Sequence, residues 1–271
     1  GLWYANGMNK DYYIDGGFTY FGSTNDNGSW SLSKDPGSYT INIWKSGYYD
    51  EYVNVYACGN QPNQDSSMSE FLDEGEMRII LSWPKTNPVT AIDLDMHLYI
   101  PIIDIDASRN SDCDGGSDKD DKCHLYYRTN QAADNATNVT GVSTVDYHQY
   151  YDIVSSGDYV TLDKDDSSST APPGDETMTI TKVRSGTYSF SVHNATDSDN
   201  LTDNYKTNLL RSNTKVKVFY NKEGTLIRRR FYVPNDNGTL WRVFTFDSSR
   251  SGSGFTVVDN MTYENTAGNI Y

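Results

Sequence analysis

Residues Ile92-Asp93-Leu94-Asp95-Met96-His97-Leu98 alternate apolar and ionisable side chains without a break, and this period of two constrains the fold more than any other feature. Successive side chains of a β-strand point to opposite faces, so as a strand the segment buries Ile92, Leu94, Met96 and Leu98. Asp93, Asp95 and His97 then share the other face. Carboxylates that close repel one another unless a cation, a hydrogen-bond network or solvent offsets the charge.

The remaining chain suits pleated surfaces joined by turns. It has 22 tyrosines and 5 tryptophans with abundant Ser, Thr, Asn and Gly, a composition that favours half-buried strands over helices. The fold class expected is all-β. A length of 271 residues accommodates one large domain or two smaller ones with real cores. Lys+Arg 22 against Asp+Glu 37 gives a net charge of -15, which repels nucleic acid and anionic membranes. Apolar runs fall short of the roughly 20 residues that span a bilayer, and a first residue Gly1 reads as a processed or trimmed secreted chain.

Turn signals divide the chain. Residues 1–60 hold strand candidates at Phe18–Phe21, Trp30–Leu32, Tyr39–Trp44 and Tyr52–Tyr56, separated by Asp26-Asn27-Gly28, Asp35-Pro36-Gly37 and Lys45-Ser46-Gly47. Residues 61–75, polar and serine-bearing, have the composition of a linker. Residues 76–271 carry a longer series: Met77–Trp83, the alternating ridge, His124–Tyr127, Tyr159–Leu162, Thr177–Ile180, Gly186–Val192, Thr214–Tyr220, Leu226–Val233, Trp241–Phe246 and Phe255–Val258. So many strands in one stretch imply a β-sandwich, and Asn221-Lys222-Glu223-Gly224 is a hairpin connection.

The run Pro36-Gly37-Ser38-Tyr39-Thr40-Ile41, followed by Lys45-Ser46-Gly47-Tyr48, resembles the transthyretin-like, carboxypeptidase-regulatory modules of secreted proteins. Against their usual seven or so strands this module is short by one or two, and a sheet lacking a strand exposes a templating edge. The blocks Leu81-Ser82-Trp83, Asp93 to Leu98, Leu162 to Asp166, Glu176 to Ile180, Gly186 to His193 and Gly238 to Phe244 resemble a family of secreted bacterial and eukaryotic β-sandwich domains. Its pattern is "LxW…DLDxHL…LDxDD…GPE…GxYxxxV…GxxWxVF". The resemblance spans residues 76–262 and implies a jelly-roll-like sandwich after a transthyretin-like module, with an accessory or structural role. Where the family has a compact Gly-Pro-Glu, this chain has Pro172-Pro173-Gly174-Asp175-Glu176.

Cysteines and sequons point outside the cell. Cys113 and Cys123 flank a polar loop that a local disulfide would tether. Cys58 is left to join another chain or to lie buried as a thiol. Asn-x-Ser/Thr sequons occur at Asn27, Asn135, Asn138, Asn194, Asn200, Asn237 and Asn260, each a candidate for an N-linked glycan.

A Ca²⁺ ion takes six to eight oxygens drawn from several segments. Asp93 and Asp95, with Asp163, Asp165, Asp166 and Glu176, supply enough carboxylates if those segments are neighbours. The competing reading has these acids accept hydrogen bonds at turns and strand ends. Zinc would need His97 with His124 or His193 and a carboxylate, and no His-x-His or paired-Cys spacing argues for it. Enzyme readings are weak. Asp93 and Asp95 point the same way instead of flanking a substrate, and the nucleophile elbow Gly-x-Ser-x-Gly does not occur.

The expectation is a non-enzymatic, extracellular or cell-surface structural glycoprotein with no membrane insertion. Its copies would self-assemble into an appendage or fibril by strand addition from a neighbour's aromatic-rich segment Gly1 to Tyr13. The alternative is a calcium-dependent carbohydrate- or protein-binding module of a larger surface protein.

Overall fold

The computed structural model describes residues 1–6, 17–62, 64, 66–84, 92–101, 122–127, 143–146, 159–166, 174–196 and 207–270. Its contacts separate two units, Gly1–Phe71 and Leu72–Tyr271. Both are built from antiparallel strands, and the all-β expectation holds.

In the first unit, β1 (Leu2–Asn6), β2 (Thr19–Gly22), β3 (Gly37–Ile43) and β4 (Glu51–Ala57) form one sheet in the order β2-β1-β3-β4. The first six residues are therefore no tail. Residues Leu2–Asn6 pair on one side with β2 and on the other, from Leu2↔Ile43 to Asn6↔Tyr39, with β3. Leu2, Ala5, Thr40 and Ile41 are buried. Trp30–Leu32, expected as a strand, is irregular. Part of the expected linker belongs to this unit: the Tyr49 N–H donates to the Ser69 carbonyl (2.9 Å) and the Phe71 N–H to the Gly47 carbonyl (3.0 Å). Tyr48 pairs with Glu70 as an isolated bridge. Bonding to residues distant in sequence, invisible in the composition of residues 61–75, orders Ser69–Phe71.

In the second unit, one sheet runs β13 (Thr225–Tyr232), β12 (Lys215–Lys222), β5 (Met77–Trp83), β10 (Gly174–Ile180), β9 (Tyr159–Lys164) and β8 (Ser143–Asp146). The other runs β15 (Phe255–Thr262), β14 (Leu240–Asp247), β11 (Thr187–Asn194), β6 (Leu94–Pro101) and β7 (Lys122–Leu125). A single core joins Ile79, Leu81, Trp83, Met178, Ile180, Val216 and Val218 of the first sheet to Leu94, Met96, Leu98, Phe190, Val192, Trp241 and Phe244 of the second. This is a sandwich whose inner faces carry the apolar half of each alternation. The β12–β13 hairpin turns on Glu223 (φ 51°) and Gly224 (φ 77°), a pair of left-handed residues that matches the twist of the flanking strands. Strand β13 is an edge, and its Arg228 and Arg229 are exposed, the kind of charge that discourages edge-to-edge pairing.

Candidate metal centre

Strand β6 keeps the alternation that the sequence announces, yet all eight of its residues are buried. Leu94, Met96 and Leu98 enter the sandwich core. On the opposite face Asp95, His97 and Tyr99 lie beneath a second layer. Glu264 and the stretch around the 3-10 turn Ala267–Asn269 supply it: the His193 Nε2 faces the Glu264 carbonyl at 3.1 Å, and the Tyr99 hydroxyl donates to the Ile270 carbonyl. Past the half-buried Asp93, the ionisable face of the ridge is thus a sealed polar layer, not a solvated one.

Register explains which groups meet there. Strands β6 and β11 pair with His193 opposite Asp95 and Ser191 opposite His97, so cross-strand neighbours on one face bring the three together. One ligand atom from each of Asp95, His97 and His193 lies within 4.8 Å of the others. Strand β7 adds His124 opposite Tyr99. The His124 ring is stacked between Tyr99 (4.4 Å) and Tyr126 (4.3 Å), and its Nε2 shares a hydrogen bond of 2.8 Å with His97 Nδ1.

Glu176 reaches the same place from the facing sheet. Strand β7 pairs with β6 only over Leu98–Pro101, and beyond it the Met96 N–H donates to Glu176 Oε2 at 2.8 Å. The carboxylate substitutes for a missing strand partner. One oxygen each from Asp95, Asp165 and Glu176 lies within 4.8 Å of the others, so Asp95 is common to both groups.

Charge is held out of this layer by desolvation. Burial pushes His124 down to about 3. Burial, then the neighbouring His124 and His193, holds His97 well below the usual imidazole range. His193 is also lowered by burial, partly countered by the Glu264 carbonyl. Glu176 is raised well above the carboxylate range by burial first, then by Asp95 and Asp165, against the opposing Met96 N–H. Such groups close together are the usual signature of a functional or metal-binding cluster.

The six acids expected to act together do not all converge. Asp95, Asp165 and Glu176 converge, whereas Asp163 accepts hydrogen bonds from Thr161 and from Thr179 Oγ1 (2.5 Å). Asp166 accepts the Asp175 N–H at 3.4 Å, and the backbone of Asp93 bonds Thr196 Oγ1 and the Ala195 N–H. For Asp163 and Asp166 the strand-end role is the observed one. Adjacent strands, not a local motif, assemble the histidine cluster, so no His-x-His spacing is needed for it. The available signal was Asp95 and His97 two apart on β6, with His193 near the end of β11.

Of the sequons, Asn27, Asn237 and Asn260 are exposed. Asn194 is a correction: it is fully buried at the end of β11, where a folded chain has no room for a glycan. Asn135, Asn138 and Asn200, and the proposed Cys113–Cys123 bridge, lie outside the residues whose side chains are described. Cys58 is an exposed thiol, which removes the buried alternative. Compared with known protein families and with curated proteins, the chain matches none.

Proposed function

We propose that this chain is a non-enzymatic structural subunit of an extracellular or cell-surface assembly, its copies joined through the N-terminal sheet by strand β1. The observation that carries this reading is the position of β1, which is hydrogen-bonded on both sides inside a four-stranded sheet. A β1 supplied by a second copy meets the same two partners, and such an exchange is a low-cost route to assembly that extends into filaments when it does not close. The resemblance to secreted transthyretin-like and accessory sandwich modules, the exposed sequons and the thiol of Cys58 support the same setting.

Cross-linking tests it directly. Ala5 on β1 is opposite Thr40 on β3, and directly opposed residues bring Cβ atoms within reach of a disulfide. In a Cys58→Ser background, two differently tagged full-length chains, one Ala5→Cys and one Thr40→Cys, are expected to form a mixed covalent dimer upon oxidation, with filaments of the unsubstituted protein visible by negative stain. Purely monomeric species in both measurements would end this reading.

One observation favours a second reading. The convergence of Asp95, Asp165 and Glu176 oxygens suits Ca²⁺, in a calcium-dependent module for carbohydrate or protein. Under that reading chelation weakens ligand capture, and Asp165→Asn does the same.

A further inference from the structure

We propose that Asp95, His97 and His193 form a buried structural site for a divalent transition-metal ion of the zinc class, a site independent of the assembly reading. Geometry is the first support. Zinc binds imidazole nitrogen and carboxylate oxygen at about 2.0–2.2 Å, which sets donors on a tetrahedron about 3.4 Å apart. One donor atom from each of Asp95, His97 and His193 lies within 4.8 Å of the others, so side-chain rotation on two hydrogen-bonded strands supplies three of the four donors.

Unused nitrogens are the second. His97 Nε2 and His193 Nδ1 are buried with no hydrogen-bond partner among the described residues, although their residues are 0% and 1% exposed. A carbonyl only accepts, so the Glu264 carbonyl fixes the proton of His193 on Nε2 and leaves a lone pair on Nδ1. His97 Nδ1 is engaged by His124, leaving Nε2 for a ligand. Each imidazole thus has one nitrogen held from behind and the other open, the arrangement by which outer partners orient metal-bound histidines. Without an ion, each buried nitrogen that lacks a partner keeps its desolvation cost unrelieved.

Donor chemistry selects the class. Two imidazoles and one carboxylate suit zinc and its first-row neighbours, while calcium takes oxygen only. Burial selects the role: Asp95 is 4% exposed and both histidines less, so a bound ion is closed off from any substrate and clamps β6 to β11.

The test uses the full chain, stripped with a chelator and then given zinc, cobalt(II) or calcium separately. Zinc is expected to raise the unfolding temperature, and cobalt(II) to give the visible absorption of a four- or five-coordinate centre. X-ray absorption of the zinc form is expected to show imidazole scattering. His193→Ala should weaken zinc binding by about 100-fold or more, whereas Asp165→Asn should leave the cobalt(II) spectrum intact. Circular dichroism checks that the histidine variant folds, and the X-ray measurement on unsubstituted protein stands if it does not. Zinc affinity unchanged by His193→Ala, a spectrum without imidazole scattering, or stabilisation by calcium alone each overturns the proposal. None of these outcomes bears on the β1 cross-link.

Discussion

Gly174→Ala is expected to destabilise the larger unit by about 3 kcal/mol, the upper end of what overpacking costs. Gly174 is buried opposite Trp83 in the β5–β10 register. A Cβ placed on it would sit 2.1 Å from Trp83 Cε2 and 2.5 Å from two further ring atoms. The indole has nowhere to swing: it is 1% exposed, and its Nε1 donates to the Ile92 carbonyl at 2.9 Å, which anchors the entrance to β6. Thermal unfolding should fall by roughly 6–12 °C for a unit of this size. Gly37→Ala is the control, because its Cβ would meet Tyr39 at 3.5 Å, an ordinary contact. Equal melting temperatures for the two variants would show that the indole yields. Trp83→Phe in the Gly174→Ala background should recover part of the loss, since the two positions couple directly.

Acid is expected to unfold the same unit steeply. His97, His124 and His193 all have folded values below the unfolded value of about 6.5, with His124 near 3 and the others lowered. A group depressed on folding contributes stability that is present above its unfolded value and lost as the pH falls. Glu176 has the opposite sign: its raised value contributes stability at low pH that is lost as the pH rises through the folded value. As the pH falls below about 6.5, unfolding of chelated protein therefore takes up protons at the three imidazoles while Glu176 releases one, a net uptake that lowers stability towards acid. Each net proton corresponds to about 1.4 kcal/mol per pH unit. Urea midpoints of chelated protein at pH 7.5, 6.5, 5.5 and 5 check this. A flat profile would mean that the imidazoles are solvated. A bound ion leaves the sign of the acid limb unchanged, because His97 and His193 must release it before they take up protons.

The elements legible in the sequence are those whose evidence is local. Met77–Trp83 and the ridge declare themselves by alternation, and the β12–β13 turn by Glu223-Gly224, because period and turn chemistry are read within a few residues. Strand β1 was not legible: Leu2–Asn6 becomes a strand by pairing with Gly22–Thr19 and Ile43–Tyr39, partners that no local pattern identifies. Ser143–Asp146 likewise becomes a strand by pairing with Tyr159–Leu162. The candidate centre was half legible. Asp95 and Glu176 stood out as acids in strand-like segments, but nothing in one strand says that its ionisable face will be roofed over. Nor does His193 announce that it will lie opposite Asp95, since that pairing is fixed by the register of β11 on β6. The acids that composition groups together are not all neighbours in space. Asp163 is occupied by two threonine hydroxyls.

The roof over the polar layer also orders events in time. The Tyr99 hydroxyl and the Ile270 carbonyl are 171 residues apart in sequence, and His193 and Glu264 are 71 apart. During synthesis, at about 5–20 residues per second, β6 and β11 emerge seconds before the segment that closes above them. The strands that carry the imidazoles are thus complete in the nascent chain before the residues that cover them exist, and the cover is the last part of the layer to be supplied.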